Sequence, residues 1–263
     1  MRPRLVVLGG GRMGEALVAG LIASGWAGAE ALLVVEERAE QRLALSERHP
    51  GLVVSDAVTA GDGLVLAVKP TDAERSARAA TAVGFDRALS IVAGATLGQL
   101  EGWLGQRTAV VRAMPNTPAL IGAGAAAIAG GSGADQATLA WAEAILGAVG
   151  TVTRVPEHLL DAVTGLSGSG PAYVCLVAEA LIEAGVLVGL PREVSRSLVL
   201  QTLLGSARLL AESDQEPEAL RAAVTSAGGT TAAGLRVLES RATRSAFIEA
   251  VAAAAERSRQ LGE

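Results

Sequence analysis

Over the first 155 residues the chain alternates short apolar runs with stretches of helical periodicity. Leu5-Val6-Val7-Leu8 is an apolar run that ends in glycines, which predicts a buried strand. Met13, Leu17 and Leu21 then recur on one helical face, predicting a helix over 12–24. Residues 32–35 predict a second strand and 38–48 a second helix. Further strands are expected at 52–54, 64–68, 89–92 and 109–111, the second of these stopped by Pro70. Strands alternating with helices predict an α/β fold with a parallel sheet and right-handed crossovers. After about Pro156 the strand signals vanish. The remainder reads as helices punctuated at Gly189-Leu190-Pro191, Glu216-Pro217 and Gly228-Gly229, with an amphipathic tail over 247–263. The pattern therefore predicts two domains, 1–155 and an all-helical 156–263.

Composition narrows the class. Half of the 263 residues are hydrophobic and 19% are charged, which excludes wholesale disorder. Aromatic residues are only 2%, so the core must be built from Ala, Val, Leu and Ile. Such small side chains bury little area each, and a large subunit interface would add stability. A net charge of −5 argues against a general nucleic-acid binder. Mean hydropathy is +0.40. However, the longest uncharged run, residues 113–134, carries Pro115, Pro118 and five glycines, which no membrane-spanning helix tolerates at that density. The apolar stretch after Arg4 ends at Gly9, too soon for a secretory signal. The expectation is a cytoplasmic protein without membrane or nucleic-acid partners. Cys175 is the sole cysteine, and His49 and His158 lie far apart, so neither a disulfide framework nor a metal site is expected.

Candidate chemistry begins at Gly9-Gly10-Gly11-Arg12-Met13-Gly14, a G-x-G-x-x-G between the first strand and the first helix. Gly9 permits the tight turn, Gly11 lets backbone approach a pyrophosphate, and Gly14 lets helix and strand pack closely. Glu36 follows Gly14 by 22 residues, at the end of the second strand. A carboxylate there accepts from ribose hydroxyls and repels a 2′-phosphate, favouring NADH. The neighbouring Arg38 offers the opposite possibility, as a holder of a 2′-phosphate, and two solvated charges opening a helix would look the same. The chain uses 21 arginines and one lysine, Lys69, which sits at the end of the fourth strand in Ala67-Val68-Lys69-Pro70. Ligands of open α/β sheets bind at that end of the strands, so this loop is assigned to the cofactor. The proline-stiffened loop 112–118 carries Asn116, with donor and acceptor in one side chain, and reads equally as a site element or an ordinary turn.

The helical half contains two polar islands. Residues 164–170 gather three glycines and three hydroxyl residues between helical segments, which suits close approach to either a ligand or another helix. Residues 225–231, Thr-Ser-Ala-Gly-Gly-Thr-Thr, lead into a helix expected to begin at Thr230 or Thr231. Free amides there would form an anion site, unless a threonine simply caps the helix.

In order and joint presence these motifs resemble the pyrroline-5-carboxylate reductases. The likeness runs from the G-x-G-x-M-G start through 68–70, 114–118 and 166–173 to the stretch from Pro217 through Val224-Thr225-Ser226, Gly228-Gly229 and Thr231 to Leu238-Glu239. It implies an N-terminal Rossmann-type doubly wound sheet and a C-terminal helical dimerisation domain. It further implies homodimers that can assemble into a decamer. The implied activity is reduction of 1-pyrroline-5-carboxylate to L-proline by NADPH or NADH, the last step of proline biosynthesis. By carry-over, Gly9, Gly11, Arg12, Met13, Gly14, Glu36, Ala67, Val68, Lys69, Pro70, Ala93 and Asn116 meet the cofactor. Ser226, Gly228, Gly229, Thr230 and Thr231 hold the substrate, with Thr231 beside the ring nitrogen as the catalytic residue. The chain departs from many relatives in Ala227, where they have Pro, and in Glu36-Glu37, where residues suited to NADPH are common. The nearest rival is a β-hydroxyacid dehydrogenase or another imine reductase; the hydroxyacid enzymes would need a catalytic lysine early in the helical domain, and residues 156–190 contain none. A cofactor-binding regulator without catalysis is the alternative of a different class.

Overall fold

The computed structural model describes residues 2–262. The strands are β1 (Leu5–Leu8), β2 (Leu32–Val35), β3 (Val53–Ser55), β4 (Leu64–Leu66), β5 (Arg87–Ser90), β6 (Ala109–Met114), β7 (Gly124–Gly130) and β8 (Gly150–Arg154). They form one sheet in the order β3-β2-β1-β4-β5-β6-β7-β8. All pairs are parallel except β6–β7, which is antiparallel, with Val111 opposite Gly130. Helices α1 (Arg12–Ala23), α2 (Ala39–Arg48), α3 (Ala73–Val83), α4 (Leu97–Leu104) and α5 (Gln136–Gly147) connect the strands. The expected strands and the first two helices are present within two residues of most predicted ends.

The sheet is covered on both faces. Alternate residues of β1 explain why: Leu5 and Val7 join a cluster with Leu17, Leu21, Leu45 and Ile145, whereas Val6 and Leu8 join Ala73, Ala77 and Leu100. All four β1 side chains are buried, so the strand reads as a continuous apolar run rather than an alternating one.

Two strands were not foreseen. Gly-Ala-Ala-Ala-Ile-Ala-Gly in β7 has few β-branched residues and lies inside the uncharged run 113–134, for which the sequence excludes only a membrane-spanning helix. Pairing with β6 and β8 supplies what propensity does not. The resulting antiparallel step also departs from the all-parallel expectation.

The compact units do not divide at 155. One unit continues to Ser169 and takes back the chain from Ala252 onward; the other is Gly170–Val251. Within the first unit, α6 (Leu160–Val163) leads into a π turn over Thr164–Gly168, where the Ser169 amide donates to the Thr164 carbonyl five residues back. The second unit holds α7 (Gly170–Leu187), α8 (Arg192–Glu212), α9 (Pro217–Ala223), α10 (Thr230–Ser240) and the start of α11 (Thr243–Gly262). Helices α7 and α8 approach closely at Gly185, where an added Cβ would lie 2.1 Å from the Ser195 hydroxyl. That hydroxyl donates to the Ile182 carbonyl at 2.9 Å. Ser195 is the only residue of this unit that is buried.

One helical stretch, Glu157–Leu187, is long and apolar enough by composition to cross a membrane. It is not an uncharged run, because Asp161, Glu179 and Glu183 interrupt it. The π turn and Pro171 break its regularity.

Candidate active site

The sheet order reverses between β1 and β4, and ligands of open α/β sheets bind at such a switch point. A cleft of about 410 Å³ lies there, reached by Leu8, Val35 and Ala67 at the ends of β1, β2 and β4. Of the predicted cofactor residues, Gly9, Gly11, Glu36, Ala67, Val68 and Lys69 line it. Arg12, Met13 and Gly14 form the first turn of α1. Pro70 opens the short helical turn after β4, and Ala93 is exposed in the loop after β5. Asp56, Val58, Asp72, Arg75 and Ser76 also line the cleft and were not foreseen. No motif marks them, because they reach it from the loop after β3, from the short turn after β4 and from α3 by topology alone.

The glycines divide their work as the sequence motif predicts. Gly9 has φ +102°, and a Cβ on it would lie 2.5 Å from the Ala67 carbonyl oxygen. A Cβ on Gly14 would lie 2.0 Å from the Gly9 carbonyl oxygen. One on Gly11 would meet nothing within 4 Å. Gly11 is also the N-cap of α1, and no side chain caps that helix. Open space in front of uncapped amides fits a pyrophosphate, so these residues can hold a dinucleotide.

Glu36 is fixed at the rim. Its Oε2 accepts from the Gly10 amide at 3.1 Å, and its Oε1 accepts from the Arg38 amide and from Arg38 Nε, each at 3.0 Å. Burial pushes the Glu36 carboxyl up, but the Arg38 side-chain and backbone hydrogen bonds, the guanidinium charge and the Gly10 amide together hold it below the ordinary carboxylate value.

Asn116 is committed within the fold. Its Nδ2 donates to the Ser167 carbonyl at 3.1 Å, and its Oδ1 accepts from the Ala125 amide at 2.8 Å. It thus ties the end of β6 to β7 and to the π turn. A Cβ on Gly168 would lie 2.7 Å from Met114 Cε, so the glycines of that turn allow close approach to β6. The close approach at Gly168 is thus to a strand, a neighbour that neither reading of residues 164–170 named.

The second predicted site lies in the unit Gly170–Val251. Helix α10 starts at Thr230 with Gly229 as N-cap (φ −76°, ψ 170°) and no side-chain cap. The simple threonine-capped turn is therefore not what forms. Gly228 has φ +69°, which turns the chain between α9 and α10. The Gly229 amide donates to the Ser226 carbonyl at 3.1 Å. Ser226, Thr230 and Thr231 are exposed. The amides of the first turn have no side-chain cap, and Ser226, Thr230 and Thr231 are hydroxyl residues of the same turn. Among the described residues no group of His, Cys, Asp and Glu could hold a metal ion.

Comparison with known proteins bears on the fold and the family. Residues 157–261 match a family model described as pyrroline-5-carboxylate reductase dimerisation, and residues 4–92 match one described as NADP oxidoreductase, coenzyme F420-dependent. A pyrroline-5-carboxylate reductase of Synechocystis is 46% identical over the whole of both chains. The solved structure of a Coxiella burnetii pyrroline-5-carboxylate reductase superposes with a TM-score of 0.92 at 35% identity, covering all of both chains. A Plasmodium falciparum pyrroline carboxylate reductase with NADP bound gives 0.86 at 31% identity, covering 99% of this chain and 98% of that one. Identity at this level along the entire length places the chain in the pyrroline-5-carboxylate reductase family.

Proposed function

We propose that this protein reduces 1-pyrroline-5-carboxylate to L-proline with hydride from NADPH or NADH, as a cytoplasmic enzyme of proline biosynthesis. The observation that carries this reading is the uncapped start of α10 in a chain of this family, which suits an anion clamp made by Gly228, Gly229 and Thr230. The substrate is a cyclic imine bearing a carboxylate. When bound, the dinucleotide supplies hydride to the imine carbon while the nitrogen takes a proton. A protonated imine is already a good electrophile, so the protein's task is mainly orientation and charge placement. Amides at the α10 N-terminus and the Ser226 hydroxyl hold the carboxylate without setting a full positive charge beside the iminium. The Thr231 hydroxyl bonds the ring nitrogen. Residues Gly9, Gly11, Arg12, Met13 and Gly14 would hold the pyrophosphate, and Glu36 and Lys69 would serve other parts of the dinucleotide. Ala67, Val68, Pro70 and Ala93 shape the strand ends around it. Asn116 keeps the neighbouring loop in place.

The unit Gly170–Val251 supports a homo-oligomer. Leu176, Leu198, Leu204 and Ile248 are each more than half exposed in the single chain. A second copy covering these faces would bury them, as it would the apolar stretch Glu157–Leu187. Assembly of such dimers into a decamer belongs to the same reading. The direct test is consumption of NADPH or NADH with 1-pyrroline-5-carboxylate, with proline identified as product. Dinucleotide binding without turnover would favour the non-catalytic regulator instead.

A further inference from the structure

The rim of the cleft carries more charge than dinucleotide binding needs, and its pairing decides which dinucleotide fits. Three arginines stand there or just behind it, and each is already engaged. Arg38 Nε pairs with Glu36 Oε1 at 3.0 Å. Arg75 Nη2 lies 3.1 Å from both Glu37 Oε1 and Asp72 Oδ1. Arg42 Nη1 donates to the backbone carbonyls of Glu36 and Glu37, and its Nη2 lies 3.7 Å from Asp56. Each of these cations already has a carboxylate beside it, so a 2′-phosphate approaching one of them also meets the charge of Glu36, Glu37, Asp56 or Asp72. Among the described residues that line the cleft, Lys69 alone is a cation with no carboxylate partner.

Glu36 cannot move aside. It is 8% exposed, and three N–H groups converge on its carboxylate. A carboxylate offers roughly four acceptor positions, so about one is left, and it lies on Oε2. A ribose hydroxyl can donate to that position. A phosphate has only acceptors to offer there and would sit beside a fixed negative charge of low proton affinity.

We propose that Glu36 makes this chain select NADH over NADPH, whichever nucleotide its relatives hold. The inference rests on the reading of the cleft as a dinucleotide site. Lys69, at the end of β4, then serves the part common to both nucleotides.

The test is the dissociation constant of each reduced nucleotide, read from nicotinamide fluorescence with no substrate present. The wild type should bind NADH tighter than NADPH by about tenfold or more. Glu36→Gln keeps the shape and the acceptor for Gly10 while removing the charge, and should bring the two constants together by gaining NADPH affinity. Lys69→Ala should weaken both nucleotides alike. Circular dichroism of each variant establishes that it is folded, and Glu36→Ser provides a second removal of the charge should Glu36→Gln fail to fold. Equal or tighter NADPH binding by the wild type overturns the proposal. So does an unchanged ratio in the folded Glu36 variants, or a Lys69→Ala variant that loses NADPH alone. Absence of turnover with 1-pyrroline-5-carboxylate would count against the proposed reaction but leave these binding ratios standing.

Discussion

At the scale of single residues, most weight rests on positions where a side chain is missing or held. Gly14→Ala would place a Cβ 2.0 Å from a backbone oxygen that cannot rotate away. The strand–helix junction must then shift, so urea unfolding should show a loss of about 1–3 kcal/mol together with weakened binding of either dinucleotide. Thr231→Ala removes only a hydroxyl at an exposed position. It should lower kcat/KM for the imine by about tenfold or more while leaving dinucleotide affinity nearly unchanged. Equal activity at saturating cofactor would remove Thr231 from the catalytic role. Glu36 adds a pH dependence. Its carboxyl is held below its ordinary value in the folded chain, so its contribution to stability is complete above the unfolded value and is lost as pH falls through the folded one. The gap in Tm between wild type and Glu36→Gln should therefore be widest near neutrality and close in acid.

Among elements, β6 and the chain after β8 are joined by an ion pair whose cation is buried and whose carboxylate is half-buried. Arg112 on β6 is 7% exposed, and its Nη1 donates to Glu157 Oε1 at 2.9 Å. The same oxygen accepts from the Leu97 amide at 2.6 Å, at the start of α4. One carboxylate thus links a strand, a helix N-terminus and the chain after β8. Glu157 is half-buried and keeps the Leu97 amide, so removing only the cation by Arg112→Ala should cost about 1–2 kcal/mol in chemical denaturation. A double variant with Glu157→Ala should cost less than the sum of the two singles. The end of α11 belongs to this unit as well. Ser258, buried there, donates to Asp161 Oδ1 at 2.6 Å. The Gly262 backbone lies against Gly94, beside the exposed Ala93.

For the whole molecule, the imbalance between the two units matters most. The sheet unit has two buried clusters that cover both of its faces. The helical unit buries one serine and exposes leucine, valine and isoleucine on several helices. Burial of each such side chain contributes about 1.5–3 kcal/mol, and within one chain that contribution is not realised. Stability should therefore depend on protein concentration, with Tm rising on concentration. Leu198→Glu places a charge on a face 56% exposed in the single chain and should shift sedimentation toward monomer. A variant that sediments like the wild type would show that this face stays uncovered.

The glycine fingerprint, the acid after β2, the loss of strand signals after Pro156 and the helix start at Thr230 were all legible along the chain. They are local: a turn, a cap or a buried run is decided by the few residues that form it, and their chemistry is fixed by their types. Strand β7 was not legible, because an alanine- and glycine-rich segment has no β preference of its own and becomes a strand only between β6 and β8. The cleft residues from α3 and the loop after β3 were hidden for the same reason. So were the commitment of Asn116 to backbone partners and the return of the chain's end to the first unit. Sequence determined the kinds of group available and the order of the elements. Tertiary structure decided which groups meet, because contacts between residues far apart in the chain depend on where the sheet places its strand ends.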